Sequence, residues 1–132
     1  MHAQHPFRVG AGFVAVLLLA GVWLSSCATF PAVPAGVRSE LAPSGKLRAA
    51  INFGNPVLAQ KDPATGEPRG VSVDLARELG RRLGVPVDLV TFDAAGKVFE
   101  ALKKGVWDVA FLAIDPARAA EIAFTAPYVV IE

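Results

Sequence analysis

The sequence predicts an α/β domain, a parallel sheet whose strands alternate with helices in the order β-α-β-α-β-α-β. Three observations carry this. Short apolar runs of strand length stand at Lys46 to Phe53, Val85 to Phe92 and Trp107 to Ile114. Apolar residues between them recur at helical spacing, and Gly or Pro closes each segment. The joins are short, so right-handed crossovers are expected.

Lys46 to Phe53 reads as a buried first strand, stopped by Gly54, Asn55 and Pro56. Asp62-Pro63 and Gly66-Glu67-Pro68 are turn signals, which predict a loop or small hairpin. Val71 to Leu83 is expected to be a helix with Leu75, Leu79, Leu83 and Ala76 inward and Arg77, Glu78, Arg81 and Arg82 outward. Ser72 is its expected N-cap and Gly84 its C-terminal stop. Val85 to Phe92 forms the second strand. Gly96 to Lys104 is the second helix, with Val98, Phe99 and Leu102 inward and Gly105 ending it. Trp107 to Ile114 is apolar throughout except Asp108, as expected of a central strand covered on both faces. Asp115-Pro116 opens a short helix over Ala117 to Glu121, Asp capping and Pro standing first. Ala123 to Ile131 returns to an extended pattern broken at Pro127. Ligands of parallel sheets collect at the carboxyl ends of strands. Those ends fall at Asn52 to Asn55, Phe92 to Gly96 and Ala113 to Arg118.

Composition narrows the function. Lys and Arg number 13 against 12 Asp and Glu, and removal of everything before Cys27 takes Arg8 away, leaving 12 − 12 = 0. A neutral domain offers no electrostatic footing for nucleic acid. There is a single cysteine, and the two histidines are His2 and His5. No metal centre of Cys and His, no Ser-His-Asp triad and no cofactor is therefore expected in the mature domain.

The N-terminus carries an address. Val9 to Leu24 holds no charged residue and spans about 24 Å as a helix, short of a bilayer core of about 30 Å. A weakly positive start with Arg8 precedes it, so residues 1–26 read as a secretory signal. Leu24-Ser25-Ser26-Cys27 resembles a bacterial lipobox, in which a thiol receives diacylglycerol before cleavage. That resemblance implies lipidation at Cys27 and anchoring to the cell membrane or outer membrane, facing the periplasm. Residues 27–44 contain Pro31, Pro34 and Pro43 and are expected to form an extended tether before a domain over 45–132.

Five strings then occur in order: Gly45-Lys46-Leu47-Arg48; Gly70 to Ala76; Leu83-Gly84-Val85-Pro86-Val87; Ala101 to Asp108; and Asp115-Pro116-Ala117-Arg118 followed by Ile122 to Tyr128. Together they resemble the type II periplasmic solute-binding proteins of the amino-acid-binding group, family 3. The resemblance implies a periplasmic-binding-protein-like lobe, with the ligand trapped between two lobes joined by a hinge. It further implies a monomer that delivers a small solute to the permease subunits of an ABC importer. On that basis the chain is expected to carry most of lobe one, with lobe two missing, and to bind solute weakly by itself. Alternatives on the same fold are a cyclohexadienyl dehydratase-like enzyme and a sensory or envelope lipoprotein domain.

The resemblance also places the ligand. Arg118 stands where family members hold the ligand carboxylate through a bidentate guanidinium, with backbone donors of residues 114–117 adding to it. A solvated arginine on a short helix is the competing reading. Asn52 falls where an acid or amide often follows the first strand, or is a strand-terminal Asn bonding its own turn. Asn55 falls near the aromatic platform position, where Asn cannot stack, so Phe53 or Phe92 is the expected wall. Ala110, Phe111 and Ala113 stand where amino-acid binders carry Ser or Thr, and Asp115 where they carry Thr. That makes a drier wall and turns the expectation toward a less polar organic acid. Asp115 reads as an N-cap or as a ligand-facing acid; Asp74 and Asp108 read as structural, and Lys97 as solvated.

Overall fold

The computed structural model describes residues 33–130. The expected signal segment, Cys27 and the tether up to residue 32 lie outside the described residues, as do residues 131–132. In chain order the elements are α1 (Ala35–Leu41), β1 (Leu47–Asn52), β2 (Gln60–Lys61), β3 (Pro68–Arg69) and α2 (Val71–Leu83). They continue with β4 (Val87–Phe92), α3 (Ala95–Glu100) running into a 3-10 turn (Ala101–Lys104), β5 (Val109–Ala110) and α4 (Pro116–Ala119).

The parallel α/β expectation holds. The main sheet runs β4-β1-β5 and both pairings are parallel, from Leu47 opposite Val87 to Asn52 opposite Phe92, with Ala49 opposite Val109. β1 is central, and its residues alternate between two cores. Ala49 and Ile51 pack with Ala59, Val73 and Ala76 beneath α2. Ala50 packs with Val98, Ala101 and Trp107 beneath α3. The small side chains at 49 and 50 let both helices come close. Ile51, Val73 and Val98 are fully buried, each contributing about 1.5–3 kcal/mol of apolar transfer. Beyond β1, β2 and β3 form a small antiparallel hairpin, the second of the two forms expected there.

α2 has the predicted bounds but a rotated face. Val73, Ala76, Gly80 and Leu83 are buried, whereas Leu75 is 38% exposed. Gly80 explains the difference: it abuts Val87 of β4, and a Cβ there would collide with the valine methyl. The close approach at a glycine thus sets which stripe faces the sheet. Ser72 is not the N-cap; Gly70 holds that place at φ 116, and Ser72 is buried in the first turn. Gly84 closes the helix in the left-handed region at φ 66, as expected.

Three other expectations are corrected. The tether is not extended over its second half, because Ala35–Leu41 forms α1 and Ala42 is buried. Pro34, at φ −54, suits the start of that helix, and its Arg38 guanidinium lies beside Gly84 at the end of α2. A helix therefore stands before the expected boundary at residue 45. The strand at Trp107 to Ile114 pairs only over Val109–Ala110, and it is an edge strand rather than the central one. Nothing among the described residues pairs with its outer side, and Ile114, beyond its end, is 56% exposed. Residues 123–130 form no strand.

Asp108 locks the start of β5 to β1. Its carboxylate accepts from the Arg48 backbone N–H at 2.8 Å and from Arg48 Nε at 3.0 Å, and it also bonds Nη2. Arg48 Nη1 reaches the Gly105 carbonyl at 2.6 Å. The Arg48 hydrogen bond is the main reason the Asp108 carboxyl lies below its ordinary pKa. Trp107 Nε1 donates to the Val98 carbonyl at 2.9 Å, tying the same corner to α3.

Candidate functional site

The carboxyl ends of β1, β4 and β5 share one rim. Phe53 N–H bonds the Phe92 carbonyl at 2.8 Å, which carries the β1–β4 pairing past the strand ends. Gly54 then sits against Asp93 and Ala94, where a Cβ would meet the Asp93 carbonyl at 3.0 Å. Asn52 Oδ1 accepts from Gly54 N–H at 2.9 Å, and Asn55 Oδ1 from Val57 N–H at 3.2 Å. Both side chains therefore bond their own turns.

An open cleft of about 1250 Å³ follows the β5 edge and reaches this rim. Asn52, Asn55, Ala113 and Arg118 line it, so four of the seven ligand-contact residues expected from sequence border the same cleft. Phe53 and Phe92 do not line it; they pack on the α2-side and α3-side cores respectively. Lys61 Nζ stands 5.4 Å above the Phe53 ring, a cation–π contact that fixes the hairpin to β1.

Asp115 is the N-cap of α4. Its Oδ1 accepts from Ala117 N–H at 2.8 Å and from Arg118 N–H at 3.3 Å, with Pro116 at the first helical position. This corrects one expectation, since the backbone donor of Ala117 is taken by Asp115 and not left for a ligand. Asp115 is absent from the cleft lining. Its cap instead orients the half-buried Arg118, which lines the cleft while Nη1 donates to the Ala113 carbonyl at 3.1 Å. No carboxylate of the described residues lies within ion-pair distance of that guanidinium. A guanidinium without a described carboxylate partner keeps N–H donors of the kind that carboxylates accept from.

Several lining residues were not singled out from the sequence. Ser72, expected from the sequence as an N-cap, lines the cleft from the first turn of α2. Its N–H bonds the Leu58 carbonyl at 3.1 Å, and Leu58 lines the cleft beside it. Tyr128 lies edge-on to Phe111, with centroids 6.2 Å apart and planes at 87°. Its place in the Ala126-Pro127-Tyr128 string was the available signal. Glu121, exposed just beyond α4, also lines the cleft. Among the described residues no cluster of His, Cys, Asp and Glu could hold a metal, and no helix is long and apolar enough to cross a membrane.

Residues 47–132 match the family described as bacterial extracellular solute-binding proteins, family 3. The chain belongs to that family. None of the curated proteins matches it. Among solved structures, this family 3 chain is similar to an ancestral cationic amino acid solute-binding protein (29% identity, TM-score 0.61). The match covers 70% of this chain and 41% of that one. It also resembles the arginine-bound form of domain 1 of the arginine-binding protein of T. maritima, at 30% identity and TM-score 0.57. Here 67% of this chain and 71% of that domain are covered. An ancestral cyclohexadienyl dehydratase shares the fold at 24% identity and TM-score 0.62, over 74% of this chain and 40% of that one. The family 3 chain thus spans about two fifths of the length of its full-size relatives.

Proposed function

We propose that this chain supplies one wall of a solute cleft and that Arg118 captures the carboxylate of a small amino acid or related organic acid. The observation that carries the reading is the guanidinium itself. Arg118 is half-buried as a residue, and its guanidinium is held by the Asp115-capped turn, bonded to the Ala113 carbonyl and uncompensated by any described carboxylate. Asn52 and Asn55 share the same cleft and can add polar contacts. Closure around the solute then needs no covalent chemistry, only a few placed polar groups in an apolar surround. Delivery to an ABC permease, a periplasmic location and a lipid anchor at Cys27 complete the proposal, on the family match and the lipobox-like Leu24 to Cys27. That a single domain of the T. maritima protein is described in an arginine-bound form supports measurable binding by one lobe.

Enzymatic use of the fold would require an acid or base placed against the solute. The lining carboxylates are Asp108, bound up by Arg48, and the exposed Glu121, so binding is the reading better supported. The test is calorimetric titration of the full chain with a panel of amino acids and 2-oxo acids, repeated on Arg118→Ala. Loss of one charge-assisted bidentate contact weakens binding by roughly 10- to 150-fold. A ligand whose affinity is the same for both proteins would remove Arg118 from the site.

A further inference from the structure

We infer that the pole of the lobe opposite the cleft docks on anionic phospholipid headgroups, so that the anchored chain lies with the amino ends of its strands against the bilayer. This rests on the lipid anchor at Cys27 proposed above. It leaves the cleft rim, at the carboxyl ends, turned toward the solution that carries the solute.

The domain is neutral as a whole, but its charges are segregated by end. β1, β4 and β5 are parallel, so Leu47, Val87 and Val109 begin at one pole. α2 and α3 with its 3-10 turn run back between the strands and finish there. Arg81 and Arg82 stand in the last turn of α2, Lys103 and Lys104 in the 3-10 turn, and Arg38 of α1 lies beside Gly84. Much of the acid at this pole is committed. Asp88 pairs with Lys46 at 2.6 Å, Asp108 with Arg48, and the one carboxylate of Glu78 serves both Arg81 and Arg82. Glu40 and Glu100 are the other acids of α1 and α3, and they leave the cations in excess. The two helix C-termini offset about half a charge each, less than the two cations beside each of them. Toward the carboxyl ends the balance reverses, with Asp62, Glu67, Asp93 and Glu121 among the acids.

The anchor delivers this same pole to the bilayer. α1 leads through the buried Ala42 straight into the amino end of β1, and the chain from Cys27 to Ala35 spans at most about 28 Å when fully extended. Tethering at that distance confines the basic pole near the headgroups, where a modest attraction per cation suffices to hold it. A lipid chain joined to a basic surface is a two-part membrane signal. Val106, 37% exposed and close in sequence to Lys103 and Lys104, and Val37 of α1, 40% exposed, add apolar contact at headgroup depth.

The test uses the full chain purified from bacterial membranes, with mass spectrometry reading the lipid on Cys27. A fluorophore is attached at one added cysteine, Val106→Cys at the basic pole or Ala64→Cys in the exposed hairpin turn toward the other end. Each protein is reconstituted in phosphatidylcholine vesicles with and without phosphatidylglycerol, the acceptor dye being carried on a lipid headgroup. With phosphatidylglycerol, energy transfer from position 106 is expected to rise and to exceed that from position 64. High salt should abolish the rise, because exposed charges are then screened. Joint Lys103→Glu and Lys104→Glu substitution should abolish it as well, at an unchanged urea midpoint, and the salt arm decides alone if that midpoint falls. Equal transfer from the two positions, more from position 64, or a difference indifferent to phosphatidylglycerol, salt and charge reversal overturns the inference. With lipid found on Cys27, any of those results leaves the anchor standing. A chain without lipid on Cys27 defeats the anchor reading and this inference with it.

Discussion

Asp108 and Arg48 show how one charged pair can fix a strand that has little else to hold it. β5 pairs over only two residues, yet Asp108 binds the Arg48 main chain and side chain together just before that pairing begins. The Asp108 side chain is 6% exposed and that of Arg48 25%, so the pair lies between a surface bridge and a buried one. Asp108→Asn keeps the shape but replaces an ionic acceptor by a neutral one with fewer lone pairs. The expected cost is about 2 kcal/mol, within the range for charge-assisted bonds and below that for breaking a fully buried pair. Urea denaturation at neutral pH measures it, and a midpoint equal to wild type would show that β5 is held otherwise. This residue was readable as structural from its place before the third apolar run. Its partner was not, because Arg48 lies 60 positions away and only the β1–β5 register brings the two together.

Elements here depend on single contacts at their ends and crossings. α2 lies so close to β4 at Gly80 that a methyl group there would strike Val87. Gly80→Ala is therefore expected to destabilise by about 2 kcal/mol, despite the better intrinsic helix propensity of Ala. Adding Val87→Ala should recover part of the loss, and a double-mutant cycle by thermal unfolding reads the coupling. Strict additivity would mean the two residues do not meet. α4 is a second case, a four-residue helix whose two leading amides rest on Asp115. Asp115→Ala is expected to cost about 1 kcal/mol locally and to speed amide exchange at Ala117 and Arg118, while Asp115→Ser keeps the cap. Because Arg118 is carried by that turn, solute affinity should fall in the alanine variant and hold in the serine one; equal affinity in both would detach the cap from the site. The cap was legible because Asp-Pro states its own geometry. The rotated face of α2 was not, since periodicity finds an apolar stripe in Leu75, Leu79 and Leu83, while only the β4 contact reveals why Gly80 is inside.

At the scale of the whole molecule, the alternation of strands and helices was legible because β1, α2 and β4 each repeat one period cleanly between glycine stops. What failed were statements about cover. A run as apolar as Trp107 to Ile114 implies burial, yet β5 stands at an edge, and the residues that would cover an edge strand need not be near it in sequence. The stability of the assembled lobe also has a property that no single element shows, its response to acid. Asp108 is held below its ordinary value first by the Arg48 hydrogen bond, and Asp62 by the backbone N–H groups of Thr65 and Ala64. Glu78 is lowered from 4.5 to about 2 by hydrogen bonds from Arg81 and Arg82. In each case the folded group gives up its proton more readily than the unfolded one, so the unfolded chain binds more protons and stability rises with pH through the window. The contribution is complete above the ordinary carboxylate range and is lost as pH falls toward the folded values. Glu78 and Asp62 are too exposed for their shifts to count for much once solvent screening is allowed for. Asp108, the most shielded of the three, should dominate. The urea midpoint is therefore expected to hold steady above the ordinary carboxylate range and to drop as pH falls through and below it. In Asp108→Asn the curve should start lower and fall less. A wild-type midpoint that stays flat below that range, or a variant that falls as steeply as wild type, would mean the Arg48–Asp108 lock does not set the acid limit of the fold.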